Sequence, residues 1–184
     1  MRPHPTTAQL TEQLDHLRAA PSSIGTVELV TRRPAVGARE ILAGGVLDEI
    51  DGMVGDNWLS RATSRAIAAG RHWEAQVTVM SHRMVSLLAT TPEDQALAGD
   101  QFYVDLDISV ANLPPGDRIA LGATAVLEVT RKPHNGCRQF TDRFGEEAMR
   151  FVNSPVGKEL RLRGFNARVV AGGVVRPGDK VVRL

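Results

Sequence analysis

Arg118-Ile119-Ala120-Leu121-Gly122-Ala123-Thr124-Ala125-Val126-Leu127-Glu128-Val129-Thr130 is the stretch on which the reading turns. Two short apolar runs, 118–121 and 123–130, meet at Gly122. Runs this short, bounded by turn residues, read as strands rather than helices. The second strand delivers the chain into Arg131-Lys132-Pro133-His134-Asn135-Gly136-Cys137-Arg138, which holds the only cysteine. Pro133, Asn135 and Gly136 make this segment a turn.

The same pattern extends outward. Upstream, Phe102 to Ser109 alternates from residue 104, and Leu113-Pro114-Pro115-Gly116-Asp117 is a tight turn. Gln76–Met80 and Gly25–Val30 read as strands, the latter closed by Arg32-Arg33-Pro34 because proline cannot donate to a ladder. Downstream, 167–170 and two short strands around Pro177-Gly178-Asp179 complete the set. Helices are expected over 6–19, with Thr6 and Gln9 as a capping box, over 83–90, from Thr91 to Ala96, and over 144–152. Residues 60–71, polar and arginine-rich, read as a surface loop. Many short strands with glycine turns and few helices predict a mostly β fold, a β-barrel over 23–184. Residues 1–22 read as an N-terminal helical extension, which either packs on the barrel or pairs two copies in a homodimer.

Bulk properties narrow the function. The 184 residues carry a net charge of +1, are 42% hydrophobic and only 4% aromatic. Near-neutral charge gives no general attraction to nucleic acid or an anionic membrane, and scarce aromatics disfavour an RNA-stacking surface. No apolar run is long enough for a membrane span. One cysteine and no secretory leader lead us to expect a cytoplasmic protein.

No phosphate-binding loop, dinucleotide glycine pattern or zinc spacing is present. Asp105 and Asp107 share one strand face, either as a carboxylate pair or as two solvent-facing acids. Cys137 stands out because Arg131, Lys132, His134 and Arg138 lie within six residues of it, and positive charge favours a thiolate. His134 could stabilise that thiolate or move a proton. Free cysteine is equally a small buried packing residue, and the residues alone leave both uses open. Arg131, Lys132, Arg138, Arg161 and Arg163 could surround an anion such as a phosphate.

Three segments together resemble the MOSC domain family. They are Asp105–Gly122, with its Asn112-Leu113 and Ile119-Ala120-Leu121-Gly122; Val126–Thr130 with His134-Asn135-Gly136-Cys137-Arg138-Gln139-Phe140; and Arg163-Gly164-Phe165-Asn166-Ala167-Arg168-Val169-Val170 with Gly172, Gly173 and Gly178-Asp179. The resemblance implies a barrel similar to the β-barrel domain of pyruvate kinase. It implies molybdenum cofactor (molybdopterin) as the ligand, Cys137 as metal ligand or persulfide carrier, and His134 as its catalytic neighbour. Arg131, Lys132, Asn135, Arg138 and Asn112 would serve the cofactor; pyridoxal phosphate binding is also associated with the family. A reductase of this kind acts on a small N-hydroxylated substrate, with electrons from a separate donor protein. The other reading is a non-catalytic barrel that binds a metabolite or a partner protein. Two features depart from many relatives: residues 58–75 lack a His-Gly-Gly stretch, and Gly136 stands where proline often precedes the cysteine.

Overall fold

The computed structural model describes residues 4–184. Its strands run β1 (Ile24–Arg32), β2 (Glu40–Ile41), β3 (Gly45–Asp48), β4 (Gly52–Met53), β5 (Val77–Ser81), β6 (Phe102–Asp105), β7 (Arg118–Leu121), β8 (Ala125–Val129), β9 (Phe165–Ala171), β10 (Gly173–Val175) and β11 (Lys180–Arg183). Seven of them close a barrel in the order β1-β6-β5-β9-β8-β7-β11, with β11 pairing back onto β1. Closure leaves no free edge for another chain to pair with. The small sheet β10-β3-β4 stands beside it. The expected barrel is therefore the observed one, and the Arg118–Thr130 hairpin is its β7–β8 corner, with Arg118 opposite Glu128 and Leu121 opposite Ala125.

Side-chain alternation builds two cores. Val27, Val79, Val104, Leu127, Ala167 and Val181 fill the barrel interior. Their neighbours Leu29, Met80 and Tyr103 point the other way, into a second cluster with Leu10, Leu17, Met84, Phe140, Phe144 and Phe151 from the helices. Successive strand residues face opposite sides, so β5, buried at all five positions, is covered on both. Each large side chain fully buried this way is worth about 1.5–3 kcal/mol. The β5–β6 pair is parallel and so needs a crossover; α4 (His82–Leu88) and α5 (Pro92–Ala96) make it.

The helices correct several expectations. The run 6–19 is two helices, α1 (Thr7–Glu12) and α2 (Leu14–Arg18), broken where Gln13 leaves helical geometry. The Thr6–Gln9 capping box does form. Leu10 and Leu17 are buried, so the extension packs on the barrel. The loop at 60–71 contains α3 (Ser64–Ala68), capped by the Thr63 hydroxyl; it buries no residue and so leaves no apolar stripe to read. The helix expected at 144–152 begins earlier: α6 spans Arg138–Asn153, kinked at Gly145, whose φ of 86° few other residues adopt. α7 (Pro155–Glu159) follows. No helix among the described residues is long and apolar enough to cross a membrane.

Candidate functional site

Behind the 131–137 loop lies a buried carboxylate. Asp100 stands between α5 and β6 with no exposed surface. Arg163 donates from Nη1 to Asp100 Oδ2 at 2.6 Å and from Nη2 to the Ala98 carbonyl at 2.9 Å. The other carboxylate oxygen, Oδ1, lies 3.0 Å from His134 Nε2. Gly164 makes this approach possible. Its φ is +96°, and a Cβ there would sit 2.1 Å from the Val79 carbonyl oxygen. Burial by itself would raise the Asp100 carboxyl, but Arg163 and His134 outweigh it and hold it at about 2. Burial, reinforced by the Arg163 charge, pushes the His134 imidazole below its ordinary value, against the pull of Asp100. At neutral pH the cluster is thus an ionised Asp100 and a neutral His134, with the Arg163 guanidinium between Asp100 and the Ala98 carbonyl. The carboxylate 3.0 Å away favours the tautomer with its proton on Nε2, which leaves Nδ1 as an acceptor.

A second buried pair stands nearby. Arg33, at the end of β1, forks onto Asp56 with Nε–Oδ2 at 3.0 Å and Nη2–Oδ1 at 2.9 Å, and reaches the Gly99 carbonyl from Nη1. That last bond ties the Asp56 turn to the segment carrying Asp100.

The loop itself is pinned from behind. Asn166 Nδ2 donates to the carbonyls of Lys132 and Pro133, both at 3.1 Å. Gly136 N–H donates to Asn153 Oδ1 at 3.0 Å, and a Cβ at Gly136 would meet Met149 Sδ at 2.5 Å. Cys137 is exposed and is the N-cap residue of α6.

Clefts open on either side of this loop. One, of about 280 Å³, is lined by Arg33, Trp58, Arg61, His72, His134 and Asn135 among others. Arg33 and Arg61 also line a smaller hollow of about 50 Å³ with Arg39, Asn57 and Gln139. Cys137 lies on the chain between Asn135 of the first and Gln139 of the second. Burial and the charge of Arg33 lower Arg61, with Asp56 and Asp100 opposing them. Arg39 is lowered by burial and by Arg143, Arg33 and Arg61. Its Nε and the Asn57 Oδ1 are buried without partners. A hollow this size, walled by guanidinium groups and holding an unpaired donor, suits an oxyanion such as phosphate. On the far side of the loop lies a third cleft of about 340 Å³.

The sequence-derived candidates separate accordingly. His134, Asn135 and Lys132 line both the 280 Å³ and the 340 Å³ cleft, and Lys132 also lines a cleft of about 560 Å³ with Arg65, Arg71 and Glu74. Arg131 lines the 340 Å³ and 560 Å³ clefts. Arg138 is exposed and lines none of these clefts. Asn112 is not brought to the cysteine's clefts. Its Nδ2 donates to the Ser22 and Asp107 carbonyls and its Oδ1 accepts from Arg183, so it staples the loop after β6. Asp105 pairs with Arg83, and Asp107 accepts from the Ser109 N–H, so these acids are structural. The cations of the 50 Å³ hollow, Arg33, Arg39 and Arg61, come from segments that the sequence marked only as a strand end and a polar loop. Among the described residues no group of three or more His, Cys, Asp or Glu could hold a metal.

Fold and site define a closed β-barrel domain with an exposed cysteine on a loop whose His134 and Asn135 line an arginine-containing cleft. The MOSC domain family matches residues 69–182, and the chain belongs to that family. Three solved structures share the fold. The YuaD protein from Bacillus subtilis aligns at 16% identity over 86% of this chain and 94% of its own, TM-score 0.58. A hypothetical protein aligns at 17% over 91% and 70%, TM-score 0.58. YiiM from Escherichia coli aligns at 17% over 86% and 69%, TM-score 0.54. No curated protein matches the chain.

Proposed function

We propose that this protein binds molybdenum cofactor in the clefts beside Cys137, with the Cys137 sulfur as the protein's ligand to the metal. The observation that carries the proposal is a 50 Å³ hollow walled by Arg33, Arg39, Arg61 and Gln139, the last of these two residues along the chain from the exposed Cys137. Arg39 and Arg61 would hold the terminal phosphate, and the unpartnered Asn57 Oδ1 would accept from a pterin N–H. A thiolate is a soft metal ligand. When bound, the cofactor supplies a centre for oxygen and electron exchange with a small substrate such as an N-hydroxylated compound, electrons coming from a separate donor protein.

The chain's own groups fill supporting roles. Asp100 and Arg163 fix the His134 ring from behind, and the neutral imidazole can accept a proton at Nδ1. Asn166 and Asn153 hold the loop that carries the sulfur. The exposure of Cys137 also suits a sulfur carrier, in which the same atom would bear a persulfide. Either role suits a cytoplasmic protein, since a lone thiol stays reduced there.

The test is pterin retention. Protein made in a host that synthesises the cofactor is denatured and oxidised, and the released pterin is measured by fluorescence. We expect near one pterin per chain in the native protein and at least a tenfold loss in Arg61→Glu. Pterin absent from the native protein, or unchanged in the variant, contradicts the proposal.

A further inference from the structure

On the far side of the loop, the 340 Å³ cleft has an unusual lining: Arg131, Lys132, Lys158, Arg161 and Arg163 contribute to it, and no carboxylate does. Arg163 is occupied by Asp100. The other four make no ion pair among the described residues; every pair the structure contains elsewhere uses other cations. Like charges crowded round one cavity repel, and the repulsion grows as the wall dries. Arg161 is the driest of them. Burial lowers it, with only Asp117 opposing. It is also held in place: its backbone sits at φ 49°, its Nη1 donates to the Leu113 carbonyl at 2.5 Å, and its guanidinium lies 5.7 Å from the Phe165 ring centroid. A non-glycine residue held at positive φ stores local strain, and such strain gathers at binding sites. Val110, Pro115 and Phe165 supply an apolar portion of the same lining.

We infer that this cleft, which shares the Lys132–Asn135 wall with the 280 Å³ cleft, is a second binding site, for a small phosphate monoester with a compact apolar body. Arg161 presents a preset guanidinium to the phosphate oxygens. Lys132, Lys158 and Arg131 supply charge from the exposed side, where the oxyanion relieves their repulsion. The apolar lining covers the organic portion. Molecules of this size are typically taken up by clefts of about 300 Å³ or more with a few placed polar groups. The inference stands on these residues alone and does not require cofactor at Cys137.

The experiment is calorimetric titration of the purified chain with phenyl phosphate at low salt, with inorganic phosphate and phenol as comparisons. Saturable binding of phenyl phosphate is expected, at least tenfold tighter than inorganic phosphate, with none for phenol, and weakening as salt screens the cations. Arg131→Gln combined with Lys158→Gln removes two exposed cations without touching the core and should weaken binding at least tenfold. Arg61→Glu and Cys137→Ala, on the other side of the loop, should bind phenyl phosphate as the native protein does. No saturable binding overturns the inference. So does full affinity in the double variant, or a loss confined to Arg61→Glu. Equal affinity for inorganic phosphate overturns the assignment of an organic body.

Discussion

The wall behind the loop and the lip in front of it carry the same kinds of charge and use them differently. In the wall, Arg33 is closed onto Asp56 and Arg163 onto Asp100, with both carboxylates fully buried. On the lip, Arg131, Lys132 and Arg138 are exposed and unpaired, as is Cys137. Charges that must leave water need partners, so the wall's arginines are committed to holding geometry. The lip's charges remain hydrated and free to meet a ligand. Arg61, exposed, and Arg39, partly buried, lie between these extremes, lining one hollow and making no ion pair among the described residues. The difference separates residues that shape the site from residues that do its chemistry.

The wall should fail first. Asp100→Ala strands Arg163 in the interior, and breaking a buried pair from one side costs about 3–5 kcal/mol. Urea unfolding reads this directly; a loss below about 1 kcal/mol would show that the wall is not held by charge.

Acid should reproduce part of that loss. Asp100 is depressed from 3.8 to about 2 in the folded protein. Its contribution, on the order of 2 kcal/mol, is fully present above pH 3.8 and disappears as pH falls through 2. His134 acts at higher pH. Its folded value lies below 6.5, so the unfolded chain takes up the proton first and stability falls as pH drops below 6.5. His134→Gln should flatten that slope in thermal melts between pH 5 and 7. An unchanged slope would mean that the imidazole is not held neutral.

A surface pair should matter much less than the wall. Arg118 bonds Glu128 from the rim with its side chain half exposed, and Arg118→Ala should cost less than about 1 kcal/mol. Cys137→Ala sharpens the contrast most, because it should move stability by no more than about 0.5 kcal/mol while removing the sulfur. A large destabilisation in the same urea series would place Cys137 with the wall.

The barrel was legible because its strands are short, apolar and bounded by glycine and proline. β7, β8 and the approach to Cys137 follow from period and turn chemistry alone. The helices were legible only where an apolar face showed. The first turns of α6 were hidden by the turn residues before Cys137 and by Gly145, which interrupts the periodicity. α3 is five residues long and packs no core face, so Thr63 at its N-cap was its one signal. His134 and Cys137 could be singled out because they lie three apart. Asp100 and Arg163 could not be paired, since they are 63 residues apart in sequence and nothing local marks an acid as buried. Arg33 and Arg61 were missed for the same reason: closure of the barrel, not any local pattern, brings them to the sulfur's side of the loop.

Molybdenum content per chain, measured side by side in the native protein and Cys137→Ala purified from a cofactor-producing host, decides whether Cys137 holds the metal. Close to one atom per native chain and at least a tenfold drop in the variant are expected, with both proteins equally stable. Native protein without molybdenum, or a variant that retains it in full, would show that Cys137 is not a metal ligand.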